Sequence, residues 1–178
     1  MKETLYTIPL NDAVNAGDEC PFCFIEREVE QDLLDFVLGS GSSYMESDVR
    51  EATDKAGFCG EHFKKMFDYG NTLGNGWILK THYIQINKEM KEQFKKFVPS
   101  RSGFMGMRKK GAEQENSVSA WVKEKEHSCY ICKRFADTYD RYMDTFFFMF
   151  KKDEDFKKRI LSSKGFCLHH FGDLCEYA

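Results

Sequence analysis

The sequence predicts an all-α fold built from two tandem repeats, and three observations support this prediction. Apolar residues recur every three or four positions over several stretches, which is the spacing that places them on one face of a helix. Segments rich in glycine, serine or asparagine separate these stretches and mark turns. A pattern of cysteine and histidine residues also recurs at a nearly constant offset, which indicates an internal repeat.

The composition is that of a folded globular chain. Of the 178 residues, 42% are hydrophobic and 31% are charged, which excludes disordered and collagen-like proteins. The 26 basic and 29 acidic side chains give a formal net charge of −3, so the chain as a whole is not suited to nucleic-acid binding. The N-terminus lacks the features of a signal peptide, and no apolar run approaches the roughly 20 residues that span a bilayer. We therefore expect a soluble, cytoplasmic protein without membrane contact, whose cysteines stay reduced.

The sequence before position 77 predicts three helices. One follows Cys23 and ends at the glycine- and serine-rich segment 39–43. A short second helix is predicted over 48–55. A third is predicted over 58–69, before the glycine- and asparagine-rich segment 70–76 breaks the chain.

The longest periodic run predicts a helix over 77–98. We expect its apolar stripe to pack against the rest of the chain, and the alternative is a homodimer in which this helix pairs with its copy. His82 lies beside the stripe with no other ligand-type residue nearby in sequence, and we expect it to be structural. The stripe comprises Leu79, Tyr83, Ile86, Met90, Phe94 and Phe97.

The segment 99–117 changes character and predicts a flexible linker. It carries glycines and a basic cluster, which could contact phosphate but is more typical of a solvated loop. The predicted organisation is a first repeat over 1–98, this linker, and a second repeat over 118–178. The second repeat ends where the first continues into its long helix, so we expect that the chain is truncated or that the long helix serves both repeats.

The second repeat copies the helices of the first. The segment 142–150 is apolar nearly all round, so it should be buried on most sides or present an aromatic surface to a partner. A short helix is predicted over 155–161. The helical stripe of the longer element comprises Phe135, Tyr139, Tyr142, Phe146 and Met149.

Eight cysteine and histidine residues form two matching sets. In each set a Cys-x-x-Cys pair is followed by Gly-Phe-Cys-x-x-His-Phe, and the cysteine of this second motif lies 36 or 35 positions after the pair. Corresponding residues of the two sets are 108 or 109 positions apart. The first set is Cys20, Cys23, Cys59 and His62, and the second is Cys129, Cys132, Cys167 and His170.

Three thiolates and one imidazole per set complete a tetrahedral Cys₃His zinc site. A Cys-x-x-His in the first turn of a helix places both side chains on one face. We therefore predict two structural zinc ions per chain, each joining the two motifs of one repeat, with an iron–sulfur cluster as the alternative. The predicted architecture is two tandem metal-stapled helical repeats joined by a long helix and a flexible basic linker.

The remaining cysteine and histidine residues receive other roles. Cys175 aligns with Phe67 and is expected to be a small core residue, and His169 aligns with Glu61, so His170 is the better ligand candidate. The Cys20–Cys23 pair resembles a glutaredoxin-like redox motif, but no thioredoxin-type strand pattern surrounds it. The sequence contains no haem-attachment, deaminase, zinc-protease, phosphate-loop or serine-hydrolase motif, so no catalytic residue is predicted.

The duplicated motifs are similar to those of a bacterial family catalogued only as a domain of unknown function. The segments 5–13, 44–50 and 162–167 also resemble that family, and the likeness covers nearly the whole chain. The resemblance implies the repeat and implies no activity. Family members extend beyond the last motif, which agrees with a truncated second repeat.

Three functions follow as hypotheses. The first is a non-enzymatic zinc-binding module that serves as a protein-interaction or regulatory adaptor for an unknown protein partner. The second is a redox-responsive or iron–sulfur protein, because each site holds three thiolates. The third is a nucleic-acid-binding zinc module acting through the basic linker, which the overall charge disfavours. An enzyme is not expected, because no open metal position or acid–base pair is visible.

Overall fold

The computed structural model describes residues 5–41, 43–97 and 117–178, which form helices joined by short turns. These ranges contain no β-strand, so the all-α prediction is confirmed. No helix within them is long and apolar enough to cross a lipid bilayer. The helices are α1 (Thr7–Asn15), α2 (Pro21–Leu38), α3 (Ser47–Ala56), α4 (Gly60–Asp68), α5 (Thr72–Lys96), α6 (Ser117–Glu126), α7 (Tyr130–Lys152), α8 (Glu154–Leu161) and α9 (Leu168–Tyr177), with a 3₁₀ turn at Ser43–Met45.

The chain divides into two compact units, one of which is built from both ends of the sequence. The terminal unit combines Met1–Asp35 with Ile131–Ala178, and the central unit is Phe36–Tyr130. The predicted division into 1–98, 99–117 and 118–178 is therefore not confirmed. Most of the predicted linker lies outside the described residues, and α6 begins at its last position.

The core of the terminal unit is formed by α1, α2, α7 and α8. The predicted stripe of α7 supplies much of it, since Phe146 and Met149 are buried against Phe22 of α2 and Phe156 of α8. Each fully buried side chain of this size contributes ~1.5–3 kcal/mol to folding. The prediction that 142–150 is buried on most sides is confirmed, with Phe148 on the exposed side.

The central unit buries a different face of α5 from the predicted stripe. Tyr83 and Phe94 of the stripe are 57% and 59% exposed, whereas Gly74, Ile78 and His82 are buried. The buried face lies about a third of a turn from the stripe, given 100° per residue. The predicted stripe is only partly a packing face, since Leu79, Ile86 and Met90 are half-buried. The fully buried face consists mostly of a small residue and a histidine, which hydrophobic periodicity does not register.

The helix α5 also begins before the predicted position. Asn71 caps its first turn, because its Oδ1 accepts a hydrogen bond from the Gly74 amide at 2.9 Å while its Nδ2 donates to the Leu38 carbonyl at 2.6 Å. A Cβ atom at Gly74 would lie 3.0 Å from a Leu38 methyl group, so glycine permits this close approach. The chain breaks at Gly70, where φ is +87°, and is helical from Thr72 through the rest of the predicted break at 70–76.

His82 is structural, as predicted. It is buried, and its Nδ1 lies 2.8 Å from the carbonyl oxygen of Asp54 at the end of α3. Its ring fills the space beside Gly57, whose backbone has φ +65° and ψ −158°. That conformation is essentially restricted to glycine. The contact fixes the chain just before the Phe58–Cys59 segment, which belongs to the candidate site described below.

Three further predictions, each about a single helix or residue, can be compared with the structure. The short helices predicted over 48–55, 58–69 and 155–161 are present as α3, α4 and α8. Helices α1 and α6 were not predicted. Cys175 is exposed in α9, so its predicted role as a small core residue is wrong.

Candidate metal centres

All eight predicted ligand residues lie at or next to the N-terminal ends of helices. The two Cys-x-x-Cys pairs surround the starts of the long helices α2 and α7, and Pro21 occupies the first position of α2, where its missing N–H costs nothing. The two Cys-x-x-His pairs surround the starts of α4 and α9. Cys59 and Cys167 are extended N-cap residues, so each histidine in the following turn faces its cysteine.

The eight residues form two clusters, but the clusters cross the two repeats. In each cluster the four ligand atoms lie within 4.8 Å of one another. The predicted pairing of motifs within one repeat is therefore wrong. Cluster A contains Cys20, Cys23, Cys167 and His170, and cluster B contains Cys59, His62, Cys129 and Cys132.

Two sets of contacts account for the crossed pairing. Phe166, which precedes Cys167, packs on Phe22, with ring centroids 6.0 Å apart. Phe22 lies in sequence between Cys20 and Cys23. In the central unit the Tyr130 amide donates to the Gly57 carbonyl at 2.9 Å, and the Tyr130 and Phe58 rings are in contact. Each Gly-Phe segment therefore docks on the Cys-x-x-Cys turn of the other repeat.

The spacing of donors in cluster A matches a tetrahedron. The Sγ atoms of Cys23 and Cys167 are 3.8 Å apart, and His170 Nδ1 lies 3.4 Å and 3.5 Å from Cys20 Sγ and Cys23 Sγ. In a tetrahedral site with metal–sulfur and metal–nitrogen bonds of zinc length, these edges are about 3.8 Å and about 3.5 Å. Cys167 Sγ lies closer to the imidazole, at 3.0 Å. Cluster A could therefore hold one metal ion with little rearrangement.

Cluster B has the same donors and the same histidine nitrogen facing inward. His62 Nδ1 lies 3.1 Å from Cys59 Sγ and 3.4 Å from Cys129 Sγ. Cys132 completes the group from the first turn of α7 and is its exposed member. Cluster B could therefore hold a second ion.

The crowded donors perturb one another's proton affinities. The His170 backbone N–H, together with the neighbouring thiol and imidazole, lowers the pKa of Cys167 to about 7. Burial and the adjacent Cys167 and Cys20 thiols raise the pKa of Cys23 to about 12. A hydrogen bond with Cys129 raises the pKa of His62 to about 9, despite partial burial. A divalent cation at the centre of such a group relieves the repulsion between thiolates.

Sequence reasoning missed a carboxylate beside cluster A. Glu26, one turn after Cys23 on α2, has its Oε2 atom 3.2 Å from His170 Nε2. Glu26, His169 and His170 form a further group of potential ligands. The signal was available in the sequence, because a residue three positions after a ligand shares its helix face.

With four protein donors, each cluster leaves no position for a substrate or an activated water molecule. Such closed sites are typical of structural metal centres, whereas catalytic sites keep one position open. The described residues therefore favour a role in holding the fold over a role in metal-assisted chemistry.

Comparison with known proteins gives one positive result. No curated protein matches the chain, and no solved structure matches it. The model of the Family of unknown function (DUF6062) matches residues 1–178, which is the full length given. With the two Cys/His clusters in place on an all-α scaffold, the chain thus belongs to the Family of unknown function (DUF6062).

Proposed function

We propose that the protein is a non-enzymatic zinc-binding helical module in which each cluster holds one structural zinc ion. The observation that carries the proposal is the convergence of three sulfurs and one imidazole nitrogen within 4.8 Å, twice in one chain. Zinc is the ion that most often takes closed tetrahedral Cys₃His sites, whereas iron–sulfur clusters mostly take four cysteines.

The ions would act as staples between distant parts of the chain. In cluster A, Cys23 and Cys167 are 144 positions apart, and in cluster B, His62 and Cys129 are 67 positions apart. Structural zinc in small domains contributes an apparent ~10–16 kcal/mol at neutral pH. A contribution of that size matches the whole stability of an ordinary domain, ~5–15 kcal/mol. We therefore expect the fold to depend on both ions in the reducing cytoplasm.

Metal content tests this proposal directly. We expect elemental analysis of protein purified without oxygen to give about two zinc ions per chain, as two closed sites require. The Cys175→Ser variant is the matched control, because this exposed cysteine lies outside both clusters and its loss should leave the zinc content unchanged. A brown protein with visible absorption and bound iron contradicts the zinc assignment. A folded chain without any metal contradicts the whole proposal.

The module would serve as a protein-interaction or regulatory adaptor. What supports this role is the apolar stripe of α5, where Tyr83, Phe94 and Phe97 are exposed rather than packed in the central unit. Exposed aromatic side chains in one stripe are typical of surfaces that bind other proteins. A homodimer through the helix over 77–98 is one form of this proposal.

Self-association can be measured by sedimentation over a wide range of protein concentration. If α5 forms a homodimer, the double variant Tyr83→Glu/Phe94→Glu should remain monomeric where the wild-type chain dimerises. A matched control is Leu161→Glu, an exposed apolar residue of the terminal unit, which should leave dimerisation intact. A wild-type chain that stays monomeric at every concentration rejects the homodimer and leaves a heterologous partner as the form to be sought.

A further inference from the structure

The two nitrogens of His170 face different environments. Its Nδ1 atom points at the sulfurs of cluster A, from 3.0 Å to Cys167 to 3.5 Å to Cys23. Its Nε2 atom, on the opposite side of the ring, lies 3.2 Å from Glu26 Oε2. The imidazole therefore bridges the three sulfurs and a carboxylate.

The environment of His170 leaves Nε2 no better partner. The side chain is 1% exposed, and among the described residues Nε2 has no aligned hydrogen-bond partner, so Glu26 is the acceptor within reach. Phe22 stacks on the imidazole with ring centroids 5.8 Å apart, and the Tyr139 ring lies beside it at 6.1 Å. These rings restrict rotation of the imidazole, so a small shift of the Glu26 side chain, which is 34% exposed, would align the contact.

We propose that Glu26 is a positioning residue that accepts the Nε2–H of His170 and thereby holds the Nδ1 lone pair toward the metal in cluster A. The inference rests on the proposed function, since it concerns how tightly that ion is held. A carboxylate behind a metal-binding histidine fixes the tautomer and ring orientation and strengthens the histidine as a ligand.

Cluster B supplies an internal comparison within the same chain. The residue three positions after Cys132 on α7 is Phe135, which stacks on Tyr139 and has no oxygen to accept a hydrogen bond. The repeated motif therefore carries a carboxylate at this position only in the set that begins with Cys20. Loss of the Glu26 carboxylate should affect one ion and leave the other as it was.

Zinc release to a coloured chelator tests the inference in the full-length chain. We expect Glu26→Ala to bind one of its two ions about 10–100-fold more weakly than wild type, which is the usual effect of losing such a partner, and therefore to release it faster. Glu26→Gln keeps a neutral acceptor oxygen and should fall between the two. Glu28→Ala, an exposed glutamate on the same helix, is the control and should match wild type.

Nitrogen NMR of the wild-type zinc protein gives a readout that a merely structural role would not move. We expect His170 to show a protonated Nε2 and a metal-bound Nδ1, and its Nε2–H resonance to shift in Glu26→Ala. A proton on Nδ1, or unchanged release in Glu26→Ala, overturns the role of Glu26 while leaving two bound zinc ions in place. A third tightly bound ion lost in Glu26→Ala also overturns it, because Glu26 would then be a ligand.

Discussion

The crossed pairing of the motifs predicts which cysteines lose protection together. Replacing Cys167 with serine removes one sulfur from cluster A, so Cys23 should become reactive toward an alkylating reagent. Cys132 belongs to cluster B and should stay protected. Replacing Cys59 with serine should have the reverse effect, because that sulfur lies with Cys132.

The size of the effect follows from the site that is lost. Removing one of four ligands from a closed site should reduce the zinc content from about two ions to about one. The apparent binding free energy of a structural zinc ion, ~10–16 kcal/mol, is as large as the stability of an ordinary domain. We therefore expect the terminal unit of Cys167→Ser to lose local order around α9 as well as its ion.

The assay is alkylation without added metal, followed by mass spectrometry of the peptides that carry Cys23 and Cys132. These two residues are the useful reporters, because Cys20 and Cys129 are buried and would be shielded with or without an ion. Cys175 is exposed and outside both clusters, so it should react equally in every variant. If Cys167→Ser exposed Cys132 and left Cys23 protected, the motifs would pair within each repeat and the crossed arrangement would be refuted.

Three further perturbations have definite outcomes. Gly57→Ala places a Cβ atom 2.6 Å from His82 at a backbone φ of +65°, so denaturant unfolding should show a loss of about 2–4 kcal/mol. Gly165→Ala shares the backbone strain, since φ there is +99°, but meets no atom within 4 Å, so its loss should be smaller. Burial acts to raise the pKa of Glu89, but hydrogen bonds from Lys125 and Trp121 outweigh it, so the pKa is lowered. The wild-type protein should therefore be about 1 kcal/mol more stable than Glu89→Gln at neutral pH. That advantage should vanish as the pH falls through the lowered pKa of Glu89, and equal stability of the two proteins at neutral pH would contradict it. Chelation of the metal should reduce helical circular dichroism reversibly, and an unchanged spectrum after complete metal removal would show that the ions are not structural.

The sequence identified the ligand residues but did not predict which two motifs share a cluster. A Cys-x-x-Cys or Cys-x-x-His motif is local, and its spacing alone places two donors on one side of a helix start. Which two motifs meet is a long-range property, and the near-constant offset of 108 or 109 positions is compatible with both pairings. A duplicated pattern contains no residue that distinguishes one copy's partner from the other's.

The α5 helix shows a different reason for failure. Hydrophobic periodicity locates the helix itself, because its apolar residues recur every three or four positions from Leu79 to Phe97. It missed the most deeply buried face, because α5 packs on α3 through Thr81, which hydrogen-bonds the Asp54 carboxylate, and through buried His82. Polar contacts of this kind leave no apolar signal, and the apolar stripe that periodicity does detect is exposed only in part, at Tyr83, Phe94 and Phe97.

Loop closure and core packing together explain why the crossed pairing prevails. Relative to loops of 36 and 35 positions, closing loops of 144 and 67 positions costs about 1.2 and about 0.6 kcal/mol more in chain entropy. In return, the terminal unit buries the aromatic stripe of α7 against α2, where the Phe22 and Phe146 rings meet edge to face at 5.2 Å. Each buried aromatic side chain contributes ~1.5–3 kcal/mol, so the two rings of this contact together offset the added entropy. The aromatic stripe of α7 therefore favours the crossed pairing, and we expect mutations that weaken that stripe to loosen cluster A before cluster B.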